Sequence, residues 1–335
     1  MDRSLVTGNP LTVKLFFQEK DNLLTRPGSI DKLRRMQSIK TKSTDGLAVA
    51  ALITVQVIFG FNYWAAKVVL AHYPPVFWGG VRAIVSAILM FLVAFALVPK
   101  EQRKIDRKFL FQAFLYGAIG IGLNNAFFML GLRYTTTTNA AILNALTPLF
   151  TLLFAVIAGA EKVTPQKGLG FTLAVFGAIV IRRFEDFSMT SDTFRGDIYT
   201  ILNCATLALF FILSRDFLKK HAPFWAMAWM FLFGAVVLFV GSISDFGNLQ
   251  ALPMNGSFVF AMVYNVVLAT AVTYFLNSWA LTRVKPSFVA VFIYLQPAIA
   301  LINVWMSGEE APNARVLLAM ALIFAGVGIG ALKKA

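Results

Sequence analysis

From Gly46 onward the chain is a succession of apolar runs of roughly 17–25 residues, divided by short stretches that collect its charges and helix breakers. A helix rises 1.5 Å per residue, so about 20 apolar residues cross the hydrocarbon core of a bilayer. The runs lie near 47–70, 76–98, 109–131, 138–158, 166–182, 196–216, 224–243, 257–280, 286–307 and 313–332. Between them fall Tyr73-Pro74-Pro75, Pro99-Lys100-Glu101, Lys219-Lys220 and the stretch from Arg283 to Pro286. Ten membrane-spanning helices are expected, and with them an all-α polytopic membrane protein, because a helix satisfies its backbone hydrogen bonds internally where water is absent. Composition agrees: 58% of the residues are hydrophobic and 14% are charged, against about a quarter charged in soluble domains.

The net charge of +14 would point to nucleic acid in a soluble protein. The positions of the charges point instead to orientation. With the N-terminus in the cytosol, the inner segments hold 23 Lys and Arg and the outer segments five, while Lys67 and Arg82 lie inside spans. That asymmetry follows the positive-inside rule. It predicts an integral membrane protein with both termini cytosolic and no nucleic-acid partner; a bacterial inner (plasma) membrane is the expected location, and a eukaryotic membrane fits as well. Residues 1–45 carry nine Lys/Arg and five Asp/Glu and no apolar stretch of signal-peptide length, so a mobile cytosolic tail is expected there. Cys204 is the single cysteine, and His72 and His221 have no neighbours at metal-ligand spacing. With no phosphate-binding loop either, no metal and no cofactor is expected.

Compared with itself at an offset of 149, the sequence repeats without a gap: residues 131–177 resemble 280–326. Pro148 meets Pro297, Gly159-Ala160-Glu161 meets Gly308-Glu309-Glu310, and Gly177 meets Gly326. Two five-helix halves are expected, 46–182 and 196–332. An odd number of spans per half inserts the second copy upside down, the architecture of transporters that alternate access around a central site.

The residues that carry a family resemblance are Gly131-Leu132-Arg133-Tyr134-Thr135 to Asn139-Ala140-Ala141, Leu146-Thr147-Pro148 and Gly159-Ala160-Glu161 in the first half. In the second half they are Ala269-Thr270-Ala271, Tyr274, Ala280-Leu281, Pro286-Ser287, Gln296-Pro297 and Gly308-Glu309-Glu310. Taken in order, and with Arg82 in the second span, they resemble the EamA-type members of the drug/metabolite transporter superfamily over about 46–332. The resemblance implies a ten-helix inverted-repeat exporter or exchanger of metabolites.

Polar groups in mid-span are the candidate cavity residues. In the first span Gln56, Phe59, Gly60, Tyr63 and Lys67 recur at helical spacing, flanked by Asn62. Asn124 and Phe128 share a face of the third span, and their repeat mates are Thr273 and Asn277. The fourth offers Asn144, Thr147 and Pro148, the sixth Asn203 and Phe210, the eighth Tyr274, and the ninth Tyr294, Gln296 and Pro297. The substrate-binding set expected is Gln56, Asn62, Tyr63, Asn124, Phe128, Asn144, Phe210, Tyr274, Asn277, Tyr294 and Gln296. Small polar residues also join helix to helix in membranes, and each single residue admits that role as well. Pro148 and Pro297 are expected to kink their helices. Lys67 is expected to snorkel to the interface, and Arg82 to act as a scaffold or to meet a substrate carboxylate.

Asp216, Asp245, Glu161, Glu309 and Glu310 fall at span ends, leaving no mid-span acid for carboxylate-driven proton coupling. A secondary transporter of small organic metabolites such as amino acids is expected, with the substrate and the lipid bilayer as partners and a homodimer left open. The alternatives are a membrane-embedded enzyme, which would want clustered His, Asp or Glu, and a proton-coupled antiporter.

Overall fold

The computed structural model describes residues 29–160, 162, 164–181, 192–248, 255–306 and 314–331. Glu161, Arg182, Glu309 and Glu310 lie outside the described residues, as does the Gly308 end of the repeat. The chain divides into two units, Met1–Leu47 and Ala48–Ala335. Residues 29–45 of the smaller unit have helical backbone.

Helices fill the chain in the order the apolar runs predict: α1 (Ser29–Leu70), α2 (Pro75–Leu97), α3 (Arg107–Tyr134), α4 (Thr137–Asn144 and Thr147–Ile157), α5 (Pro165–Ile181), α6 (Asp192–Lys220), α7 (Pro223–Gly241), α8 (Gly256–Arg283), α9 (Pro286–Val291 and Leu295–Met306) and α10 (Ala314–Ala331). No strand occurs among the described residues. Seven of the helices are long and apolar enough to cross a membrane, and shorter apolar helices occupy α5, α9 and α10.

Local chemistry sets the starts. Pro75, Pro223 and Pro286 stand at the first helical position, where the missing N–H would have no partner anyway. Asp106 caps α3 by accepting from the Phe109 N–H at 2.6 Å, and Asn255 caps α8 by accepting from the Phe258 N–H at 2.9 Å. These two caps, their Phe partners and the last residues of the helices, Tyr134 and Arg283, all differ by 149 in sequence. The repeat is therefore structural as well as sequential. Two helices also pack against their own mates, α2 against α7 and α5 against α10.

Burial is inverted relative to a soluble protein. Leu92, Phe95, Ile157 and Phe260 are largely exposed, whereas Gln56, Asn62, Arg82, Thr147 and Asn265 are almost fully enclosed. Hydrocarbon around the bundle makes the first group favourable, and the second must find partners inside. Two apolar clusters fill the rest: one joins Trp225, Phe231 and Leu238 of α7 to Ala83 and Ala87 of α2 and Phe109 of α3, and the other gathers Trp78, Met129 and Phe258.

Candidate functional site

The mid-bundle cavity is built by breaks in otherwise regular helices. In α3 the segment Ala118–Leu123 is π-helical, and in α8 so is Tyr264–Val272. The two segments end at mates, Leu123 and Val272. A π turn holds one extra residue, so it rotates the next turn of helix and brings adjacent side chains to one face, an arrangement common at functional sites. Asn124 and Asn125 come directly after the first segment and Tyr274 after the second, and all three line the cavity. α4 is interrupted between Asn144 and Thr147, and α9 by the 3-10 turn Phe292–Tyr294. Pro148 and Pro297 lie just beyond. Each proline cannot donate to the carbonyl four residues back and crowds it; those carbonyls belong to Asn144 and Ile293, which both line the cavity.

The cavity has a volume of about 50 Å³. Four pairs of repeat mates face it: Asn125 and Tyr274, Phe128 and Asn277, Asn144 and Ile293, Thr147 and Gln296. Both halves thus contribute equivalent positions to the cavity, but the chemistry at those positions differs. Phe59, Phe210 and Phe211 supply aromatic wall, and Gln56, Arg82 and Asn203 complete the polar part. No Asp or Glu among the described residues lines it.

Three hydrogen-bonded groups order these side chains. In the first, Gln296 Nε2 donates to Gln56 Oε1 (2.7 Å), the Tyr63 hydroxyl donates to Gln296 Oε1 (3.0 Å), and Asn144 Nδ2 donates to the Tyr63 hydroxyl (2.6 Å). The Cys204 thiol closes the run on Asn144 Oδ1 at 3.4 Å. In the second, Asn124 and Asn203 exchange Nδ2-to-backbone-carbonyl bonds, both 3.0 Å, locking α3 to α6. The Tyr274 hydroxyl donates to Asn124 Oδ1 (2.8 Å) and accepts from Asn125 Nδ2 (3.2 Å), joining the two repeats. A Cβ on Gly120 would overlap the Phe210 ring, so only glycine lets α3 come this close to α6. In the third, Trp78 Nε1 donates to Asn265 Oδ1 (2.8 Å), and Asn265 Nδ2 donates to Asn62 Oδ1 (2.6 Å). Thr270 donates its hydroxyl proton to the Asn265 carbonyl (2.6 Å) and accepts from Arg82 Nε (2.8 Å).

Of the residues expected from sequence, Gln56, Asn124, Phe128, Asn144, Phe210, Tyr274, Asn277 and Gln296 line the cavity, as does Arg82. Tyr63 stands behind it, its hydroxyl tied to two lining amides. Asn62 belongs to the Trp78–Asn265 group instead, and Tyr294 is buried away from the cavity. Lys67 is not at the cavity either: partly buried at the C-terminal end of α1, it donates to the Thr135 carbonyl at 2.7 Å. Nearby, Arg133 donates to the Leu70 carbonyl (2.6 Å), and the Thr135 hydroxyl to Asp197 Oδ1 (3.1 Å). Sequence pattern does not single out Asp197, an acid buried near the start of α6. Nor does helical spacing find Asn125, although the repeat could, since its mate is Tyr274. Among the described residues no three His, Cys, Asp or Glu side chains come together as a metal site would need.

Two five-helix repeats around a shared polar cavity define a polytopic membrane transporter. Its family follows from comparison: the EamA-like transporter family matches residues 46–183 and again 194–330, and the chain belongs to that family, within the drug/metabolite transporter superfamily. The chain is 22% identical to the uncharacterized transporter YoaV of Bacillus subtilis over 82% of its own length and 94% of that protein's. It is 30% identical to an uncharacterized transporter of Archaeoglobus fulgidus over 62% and 71%. Protein WALLS ARE THIN 1 of Arabidopsis thaliana is 25% identical over 73% and 72%. A solved crystal structure, 17% identical, superposes with a TM-score of 0.69 over 85% of this chain and 96% of that one, which shows a shared fold. The family and the two microbial relatives are named as transporters, not as enzymes.

Proposed function

We propose that the protein moves small organic metabolites, amino acids among them, by alternating access of its two repeats around the central cavity. The observation that carries this is the set of four mate pairs facing one cavity. Two similar halves that meet around a site can exchange conformations and so expose it to either side. The cavity volume of about 50 Å³ is far below the roughly 300–1,000 Å³ of small-molecule sites. A metabolite therefore enters only as the helices part, and the breaks in α4 and α9 beside it are the places where the backbone can yield.

The lining favours polar cargo: it offers amides, hydroxyls, aromatic rings and the Arg82 guanidinium, with hydrogen-bonding capacity left unmet. Asn277 Oδ1 and Thr147 Oγ1 are buried without a hydrogen-bond partner among the described residues, a cost that a bound solute would relieve. With no acid at the cavity among the described residues, facilitated diffusion or exchange is favoured over proton coupling. The Lys and Arg asymmetry favours cytosolic termini.

Counterflow in proteoliposomes tests the reading: vesicles holding the purified chain are loaded with a mixture of amino acids and other metabolites, and exchange of each is followed without ATP or an ion gradient. Gradient-independent exchange of a few solutes is expected. Exchange that needs a pH or sodium gradient would overturn the facilitator reading and direct attention to Asp197. No movement under any gradient would refute the proposed substrate class.

A further inference from the structure

Arg82 is 1% exposed and lines the cavity, yet no carboxylate among the described residues lines it. A guanidinium carries five N–H donors and stays charged in essentially any environment. Here Nε is bound by Thr270 Oγ1 at 2.8 Å, and Nη1 has only the weak acceptor Met129 Sδ at 3.6 Å. Those are its only partners among the described residues. Charged groups buried in proteins are paired, and an intramembrane arginine is expensive enough that it normally has a counter-ion, backbone carbonyls or water-filled space.

The anchoring of Arg82 makes the vacancy specific. Thr270 spends its proton on the Asn265 carbonyl five residues back, a bond that the π-helical segment permits, so the Thr270 oxygen is free to accept from Nε. Asn265 is itself fixed by Trp78 and Asn62. The guanidinium is therefore held at Nε by a chain of four buried side chains, while among the described residues its terminal amino groups have one sulfur between them. A scaffold arginine would spend both ends on the protein. A planar guanidinium fixed at Nε, on a residue that lines the cavity, matches the geometry of a carboxylate.

We propose that the transported solute carries a carboxylate, and that Arg82 is its counter-charge in the central cavity. This rests on the transport reading above and narrows it to amino acids and monocarboxylates. Thr270, Asn265, Trp78 and Asn62 act as positioning residues, holding Nε so that the terminal amino groups face the solute. The lining amides, Asn277 and Gln296 among them, receive the rest of the molecule.

The test is counterflow in proteoliposomes with probes that differ only at that group: phenylalanine and phenylalaninamide, leucine and leucinamide, 3-phenylpropionate and 3-phenylpropanamide. The wild-type chain is expected to exchange at least one carboxylate 10-fold or more faster than its carboxamide. In Arg82→Gln that preference should vanish, with carboxylate exchange falling toward the carboxamide rate, and in Arg82→Lys it should be reduced but retained. Melting of each purified variant shows whether it folds; if Arg82→Gln does not, the wild-type ratio and the Arg82→Lys ratio decide. Equal exchange of acid and amide by the wild type, or an unchanged preference in a folded Arg82→Gln, would overturn the role of Arg82 and leave the transport reading intact. Failure of every probe in both forms would overturn this assignment; exchange of other solutes in the mixed-metabolite assay would then leave the transport reading standing, and no exchange there would overturn both.

Discussion

The Tyr274 hydroxyl is the sharpest single point at which to probe the cavity, because it ties α8 of the second repeat to α3 of the first. In Tyr274→Phe the ring keeps its contacts, edge-on to Phe231 at 5.2 Å and tilted to Phe210 at 6.4 Å. The loss is one donor and one acceptor. Asn125 Nδ2 retains the Ile121 carbonyl at 2.9 Å, so its loss is partial. Asn124 Oδ1 has no other donor among the described residues, and Asn124 is 4% exposed. An orphaned buried amide oxygen costs about 1–3 kcal/mol. Because Asn124 lines the cavity, water can restore part of that, and about 1–2 kcal/mol is expected overall. The control is Tyr294→Phe: Tyr294 is equally buried, at 5% exposed, but its hydroxyl makes no hydrogen bond among the described residues, so its removal should cost under about 0.5 kcal/mol. Reversible unfolding of the purified chain in mixed micelles, followed by circular dichroism, separates the two; about 1.4 kcal/mol is tenfold in the folding equilibrium. If Tyr274→Phe proves as stable as Tyr294→Phe, the hydroxyl does not bridge the repeats and the second hydrogen-bonded group does not hold them together.

Asn265→Leu should cost about 2–4 kcal/mol in the same assay, since it strips both Trp78 Nε1 and Asn62 Oδ1 of their partners; adding Asn62→Leu should cost less in that background than in the wild type, and simple additivity would refute the coupling. At the end of α6, His221 packs on Phe109 at 4.9 Å and Phe217 at 4.8 Å, and burial holds its pKa below the ordinary 6.5. The unfolded chain then takes up the proton first, so this contribution to stability is intact above pH about 6.5 and declines as pH falls through it. A Tm-against-pH profile should flatten in that window in His221→Gln; an unchanged profile would refute the linkage.

The legible part of the sequence is the part that is local and repeated. Apolar runs mark ten helices because lipid imposes a length, and the offset of 149 marks the halves because both copies keep their caps, breaks and ends at matching positions. Periodicity locates Gln56 and Asn144 because their helices are regular up to those points, and Asn124 with Phe128 because one regular turn of helix joins them. It fails where the helix is not regular. A strict 3.6-residue turn places Asn124 on the cavity face and turns Asn125 aside, but the π segment Ala118–Leu123 presents both. Nothing in Ala-Ile-Gly-Ile-Gly-Leu announces a π turn. The 3-10 turn Phe292–Tyr294 likewise carries Tyr294 away from the face that Ile293 and Gln296 share. Asn62 lies on the expected helix, but its partner, Asn265, lies 203 residues on, a distance no local pattern bridges.

The same repeat explains why the cavity is symmetric in position and asymmetric in chemistry. If the halves exchange conformations, every contact made by one mate passes to the other. Asn144 holds Tyr63 and receives the Cys204 thiol, but its mate Ile293 can do neither. Gln296 bridges Gln56 and Tyr63, whereas its mate Thr147 is too short to span two side chains. Inverting the bundle therefore breaks polar bonds that the opposite state cannot rebuild with the same residues. At about 1 kcal/mol for each net hydrogen bond, three or four such bonds are enough to set which state predominates in the empty protein. A solute that shifts this balance must supply hydrogen bonds the mates lack, and the unmet groups at Arg82, Asn277 and Thr147 are where it can do so.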